Sequence, residues 1–164
     1  MALNEMLLPE FDQEIATARL MLERVPAKDA GWKPHPKSTA LGALAIHVAN
    51  LPGWLGMALT TTELDLAVTP APAPFTTVAA LLATFDKNVA RSRAALAKAV
   101  DADFAVPWSL KSGDRVYFTF PRAVIVRSFA LSHLIHHRAQ LGVYLRLRDV
   151  PLPPCYGPTA DTGM

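Results

Sequence analysis

The chain has 164 residues, the length of one domain built around a single core. Its 16 basic residues stand against 14 acidic ones, a net +2. The basic residues are scattered singly instead of being interleaved with aromatics, which excludes a nucleic-acid footprint. Hydrophobic residues make up 51% and the mean hydropathy is +0.22, yet no apolar run reaches the ~20 uninterrupted residues of a membrane span.

The first elements follow from periodicity. Residues Leu3 to about Val25 carry Met6/Leu7, Phe11, Ile15, Leu20 and Leu22 at three-to-four spacing, an amphipathic helix. The segment Pro26 to Pro36, with three prolines and Gly31, ends it. A second helix is expected to start after Ser38 or Thr39 as N-cap and to run to about Thr60, with a kink at Pro52–Gly53. Val68 to Pro74 alternates proline with small residues and reads as an extended linker within one domain spanning residues 1–164.

Thr76 or Thr77 caps a third helix reaching about Val100, with Val78, Leu81/Leu82, Phe85, Val89 and Leu96 on one side. Between 102 and 121 the pattern changes. Trp108-Ser109-Leu110, a Lys-Ser-Gly-Asp turn and Val116 to Phe120 predict a short hairpin closed by Pro121. A fourth helix from about Arg122 to Arg148 would be about 40 Å long. Val150 to Pro158 is a Pro-rich tail. The expected class is therefore all-α, a four-helix bundle with a hairpin-like excursion before the last helix. The last helix has hardly any polar face, which predicts a homodimer that covers it.

Three of the five histidines fall between 133 and 137, inside this apolar helix. Positions four apart share a helix face, so His133 and His137 point the same way, roughly 6 Å apart along the axis. His136 lies about 100° from His137 and stays outside that pair. On the second helix His47 belongs to the inward stripe Leu44, His47, Leu51 and Trp54/Leu55. Three inward imidazoles from two helices would converge, and buried imidazoles without an ion or acceptor leave nitrogens unpaired at ~1–3 kcal/mol each. A lone core histidine, hydrogen-bonded and inert, is the plainer reading of each residue taken singly. His35, within Trp32-Lys33-Pro34-His35-Pro36, is expected to be solvated.

Gly42-x4-His47, Leu51-Pro52-Gly53-Trp54, His133-Leu134-Ile135-His136-His137-Arg138-Ala139-Gln140-Leu141, Tyr144-Leu145-Arg146 and the prolines around Tyr156-Gly157-Pro158 occur in order along nearly the whole chain. In these motifs the chain resembles the DinB family of metal-dependent enzymes. The resemblance implies a commonly dimeric four-helix bundle and one divalent ion on three histidines, which fall on His47, His133 and His137. One departure is Ala139, where relatives typically carry glycine.

Three neutral imidazoles leave an open position on a zinc ion, and imidazole equally suits nickel, so a divalent ion, zinc or nickel, is expected. His133-Leu134-Ile135-His136 and His137 supply no glutamate like that of the His-Glu-x-x-His metalloproteases, which argues against peptide hydrolysis. Family resemblance makes a thiol-dependent transferase using a low-molecular-weight thiol one reading; a hydrolase acting on a small molecule is another. A non-catalytic metal-binding or stress-response bundle protein, in which the ion is structural, is the alternative. Trp54, Phe129, Gln140 and Tyr144 are the candidate pocket residues. The lone Cys155 cannot form an internal disulfide and sits far from the histidines in sequence. The opening residues lack the basic stretch and cleavage site of a signal peptide, so the protein is expected to be cytoplasmic, without nucleic-acid or membrane partners.

Overall fold

Residues 1–163 are described by a computed structural model of the chain. Helix α1, Leu3–Leu22, buries Leu7, Phe11, Ile15, Ala18, Met21 and Leu22, the stripe its periodicity dictates. A 3-10 turn at Ala27–Asp29 leads into α2, Leu41–Thr60. Helix α3 spans Val78–Lys98, and the Thr77 hydroxyl caps it by accepting from the Ala80 N–H at 3.1 Å. A short α4, Asp101–Ala105, precedes the strands. The last helical run has three consecutive parts: α5, Arg122–Val124; a π-wound stretch, Ile125–Ser132; and α6, His133–Arg146.

The all-α class does not hold. Strands β1, Glu63–Asp65, β2, Pro107–Ser112, and β3, Arg115–Pro121, form a mixed three-stranded sheet in the order β1-β2-β3. What reads locally as a hairpin-like excursion is two strands of this sheet, joined by β1 in parallel through Glu63↔Ser109 to Asp65↔Lys111. Three residues are too few to show a period of two, and the partner of β1 lies more than forty positions away, so this strand has no local signature. Side chains fasten it: Lys111 pairs with Glu63 at 2.8 Å, and the Gly113 N–H donates to Asp65 Oδ1 at 3.0 Å.

Helix α2 is central, packing against α3, the π-wound stretch and α6, while α1 packs against α3 and α6. By length and composition α2 is apolar enough to cross a membrane, but most of it is buried inside the fold. It begins at Leu41 rather than directly after Ser38 or Thr39. Its first N–H groups find backbone partners instead of a hydroxyl cap: Leu41 donates to the Trp32 carbonyl at 2.9 Å and Gly42 to that of Ala30 at 2.8 Å. Those two bonds also pin the loop before α2 against the bundle.

Helix α2 continues through Pro52, and α3 braces it there. The fully buried Ser92 hydroxyl donates to the Pro52 carbonyl at 2.7 Å and accepts from the Gly56 N–H at 3.0 Å, engaging both groups of the rung that follows the proline. A Cβ on residue 56 would stand 2.7 Å from that oxygen, so only glycine admits it. A second apolar cluster of Ala58, Trp108 and Ile125 seats the sheet on the bundle. Within it the Trp108 indole N–H donates to Thr61 Oγ1 at 3.1 Å.

Candidate metal centre

His47 sits in the second turn of α2; His133 opens α6, and His137 follows one turn later. The packing of α6 on α2 brings their rings together. His133 Nε2 stands 3.3 Å from His47 Nε2 and 2.8 Å from His137 Nε2, and each ring offers one ligand nitrogen within 4.8 Å of the other two. The ring centroids are 4.4 to 5.0 Å apart. His136 lies beside His137 with centroids 4.7 Å apart but is outside the three-nitrogen group.

The rings are poised to be neutral. Burial, followed by the neighbouring imidazoles His137 and His133, lowers the pKa of His47 to about 4. Burial is also the leading cause that lowers His133, with His137 adding to it and the Phe129 carbonyl opposing. His137 is lowered by burial and opposed by Gln140. Gln140 Oε1 accepts from His137 Nδ1 at 2.7 Å, so the proton sits on Nδ1 and the Nε2 lone pair points into the cluster. His133 Nε2–H could satisfy only one of its two neighbours. At least one lone pair in the cluster therefore has no proton to accept.

This donor set fits a cation. Nitrogens bound tetrahedrally at ~2.0–2.1 Å stand roughly 3.3 Å from one another. The His47–His133 separation already matches at 3.3 Å, and the His133–His137 pair at 2.8 Å needs to open by a few tenths of an ångström.

His47 and His137 form one wall of a cleft of about 580 Å³, shared with Lys37, Ser38, Thr39, Gln140 and Tyr144. Tyr144 meets Trp32 edge to face at 5.8 Å; Arg148 lies over the Trp32 ring at 5.3 Å and reaches Asp29 at 3.2 Å. These contacts hold the Asp29–Trp32 part of the loop before α2 against the end of α6.

Of the sequence candidates, Gln140 and Tyr144 line the histidine cleft; Trp54 and Phe129 do not. Trp54 packs beside Trp108, centroids 6.2 Å apart, and Phe129 stacks on Phe118 at 4.6 Å. Trp54 lies seven residues beyond His47, two turns further along the same stripe, and lines a different cavity. Lys37, Ser38 and Thr39 are cleft residues that sequence reasoning missed, because a Ser-Thr pair before an apolar helix reads as an N-cap. The signal available was the polarity of the whole loop Pro36 to Thr39. Cys155 lines a separate, mostly apolar cavity beneath the tail. His35 is exposed and accepts from the Lys37 N–H at 3.1 Å, shaping the loop without joining the cluster.

Among curated proteins none matches the chain. Solved structures share its fold, two DinB-like proteins among them. A DinB-like protein from Bacillus subtilis superposes with a TM-score of 0.70 at 14% identity, covering 92% of this chain and 96% of that one. A DinB-like protein from Bacillus cereus ATCC 10987 also gives 0.70, at 21% identity, covering 94% and 98%. The model of the DinB superfamily matches residues 10–141, most of the chain and all three clustered histidines, and the protein therefore belongs to the DinB superfamily.

Proposed function

We propose that His47, His133 and His137 hold one divalent ion, zinc or nickel, and that the protein is a metal-dependent enzyme acting on a small molecule. The reaction is either transfer of a low-molecular-weight thiol or hydrolysis. The observation that carries the proposal is the surplus of lone pairs where three neutral rings converge beside an accessible cleft. An ion held by these three imidazoles would supply Lewis acidity that lowers the pKa of a water or thiol toward neutral. Gln140 keeps His137 in the tautomer that faces the cluster. Lys37, Ser38, Thr39 and Tyr144 supply donors that orient a substrate against the histidines.

A structural ion would be sealed by side chains; here two of the three rings border the cleft, which favours catalysis over a staple. Neither Asp nor Glu lines the cleft, so no carboxylate is at hand as general base. Elemental analysis of natively purified protein tests the centre. One ion per chain, lost in both His47→Ala and His137→Ala with the helical circular-dichroism signal retained, is expected; stoichiometric metal in both variants would overturn it. A panel of electrophiles assayed with and without cellular thiols separates the two reactions.

A homodimer belongs to the same proposal, because Val143 and Leu147 are left 60% and 54% exposed on or just beyond α6. Equilibrium sedimentation at micromolar concentration checks it; a monomer mass would count against it.

A further inference from the structure

We propose a second small-molecule site, beneath the proline-rich strap 69–72 and between α2 and α3, that takes an organic anion with a flat apolar body. The cavity there is about 510 Å³, within the range of ligand sites, and it shares no lining residue with the histidine cleft. The proposal is thus independent of the metal reading.

The charge argument rests on Arg91. Arg19, Arg93, Arg127, Arg138, Arg146 and Arg148 each pair with a carboxylate. Arg24 and Arg122 donate to backbone carbonyls, and Arg115 lies over the Tyr117 ring. Among the described residues Arg91 alone of the arginines has no such partner, although it lines a cavity that contains no Asp or Glu. Its terminal nitrogen lies against α2 at Gly53, 3.2 Å from where a Cβ would be, so the missing side chain lets the guanidinium settle on the cavity wall. A planar guanidinium presenting unfilled donors matches a carboxylate or a sulfonate held bidentately.

The rest of the wall selects the body of the ligand. Trp54 is half-buried there, beside Met57 and Leu64, and offers an aromatic surface against which a flat ring stacks. Asn88 is held in place by donating to the Ala49 carbonyl at 3.1 Å, which fixes the polar edge. The strap is anchored at its start, where the Thr69 hydroxyl donates to the Asp65 carbonyl at 2.6 Å, and Pro70 and Pro72 restrict its backbone. A cavity held open in this way avoids the ordering cost of an induced site.

The test is titration of the full-length protein with naphthoate and with the neutral naphthalenemethanol, followed by calorimetry and tryptophan fluorescence. Naphthoate is expected to bind one-to-one, with the alcohol and the Arg91→Gln variant each weakened about tenfold or more. Trp54→Leu should weaken binding and abolish the fluorescence change, and His137→Ala should leave both untouched. Equal binding of the alcohol, wild-type affinity in Arg91→Gln, loss of binding in His137→Ala, or no saturable binding to the wild type would each overturn the proposal.

Discussion

His137 and Arg138 are adjacent in the chain and belong to opposite kinds of polar cluster. Arg138 is 2% exposed and donates to Glu14 Oε2 at 2.6 Å, to the Glu14 carbonyl at 3.2 Å and to the Tyr156 hydroxyl at 3.0 Å. That hydroxyl donates in turn to Glu14 Oε1 at 2.8 Å. Charges cancel and donors meet acceptors, and the result ties α6, α1 and the tail together. Beside it, His133 and His137 on α6 and His47 on α2 present nitrogen to nitrogen. A closed polar set holds a fold together; an open one is ready to receive something.

The contrast is broken most severely by Arg138→Ala, which strands the Glu14 carboxylate in the core. It should cost about 3–5 kcal/mol in urea denaturation, whereas Arg138→Met with Glu14→Leu, which removes both charges, should recover most of that. The open cluster should behave in the reverse way. At a free zinc concentration about 100-fold above Kd the wild type should gain about 2.7 kcal/mol, a chelator should remove the gain, and His47→Ala should never show it.

Acid should also separate the two clusters. The folded chain keeps His47 unprotonated down to about pH 4, while the unfolded chain takes up its proton near the ordinary 6.5. Between those values the unfolded state holds more protons, so the metal-free protein loses stability as pH falls from 6.5 toward 4, and His133 and His137 act in the same direction. His47→Gln should flatten that slope in pH-dependent denaturation. The smallest effect is expected from Gln140→Leu, which frees the His137 tautomer: metal affinity should fall about 10–100-fold by competition with a chelating dye, with the melting temperature of the metal-free protein unchanged.

The long helices were legible because each buries a stripe at three-to-four spacing, and the Thr77 cap because its hydroxyl serves a local N–H. The meeting of His47, His133 and His137 was legible for the same reason, since facing stripes on two packed helices must come together. What escaped depends on partners distant in sequence. Strand β1 exists only against β2, and α2 is capped by the carbonyls of Ala30 and Trp32 instead of by Ser38 or Thr39. Those two residues were thereby released to line the cleft. The Ser92 bridge across Pro52 and Gly56 is equally invisible until α3 is laid on α2.

The π-wound stretch Ile125–Ser132 sits between two fixed points, Arg122 held by the Thr61 carbonyl and Arg138 held by Glu14. Its wider coil takes in more chain per turn than an α-helix, so it sets the rotational phase with which α6 emerges. Rewinding the same eight residues as ordinary helix, at about 100° a residue in place of the roughly 82° of a π-helix, would turn everything downstream by about 145°, carrying His133 and His137 away from His47 while leaving their chemistry intact. The spacing of this stretch, more than the identity of its side chains, is thus what the histidine cluster cannot survive losing.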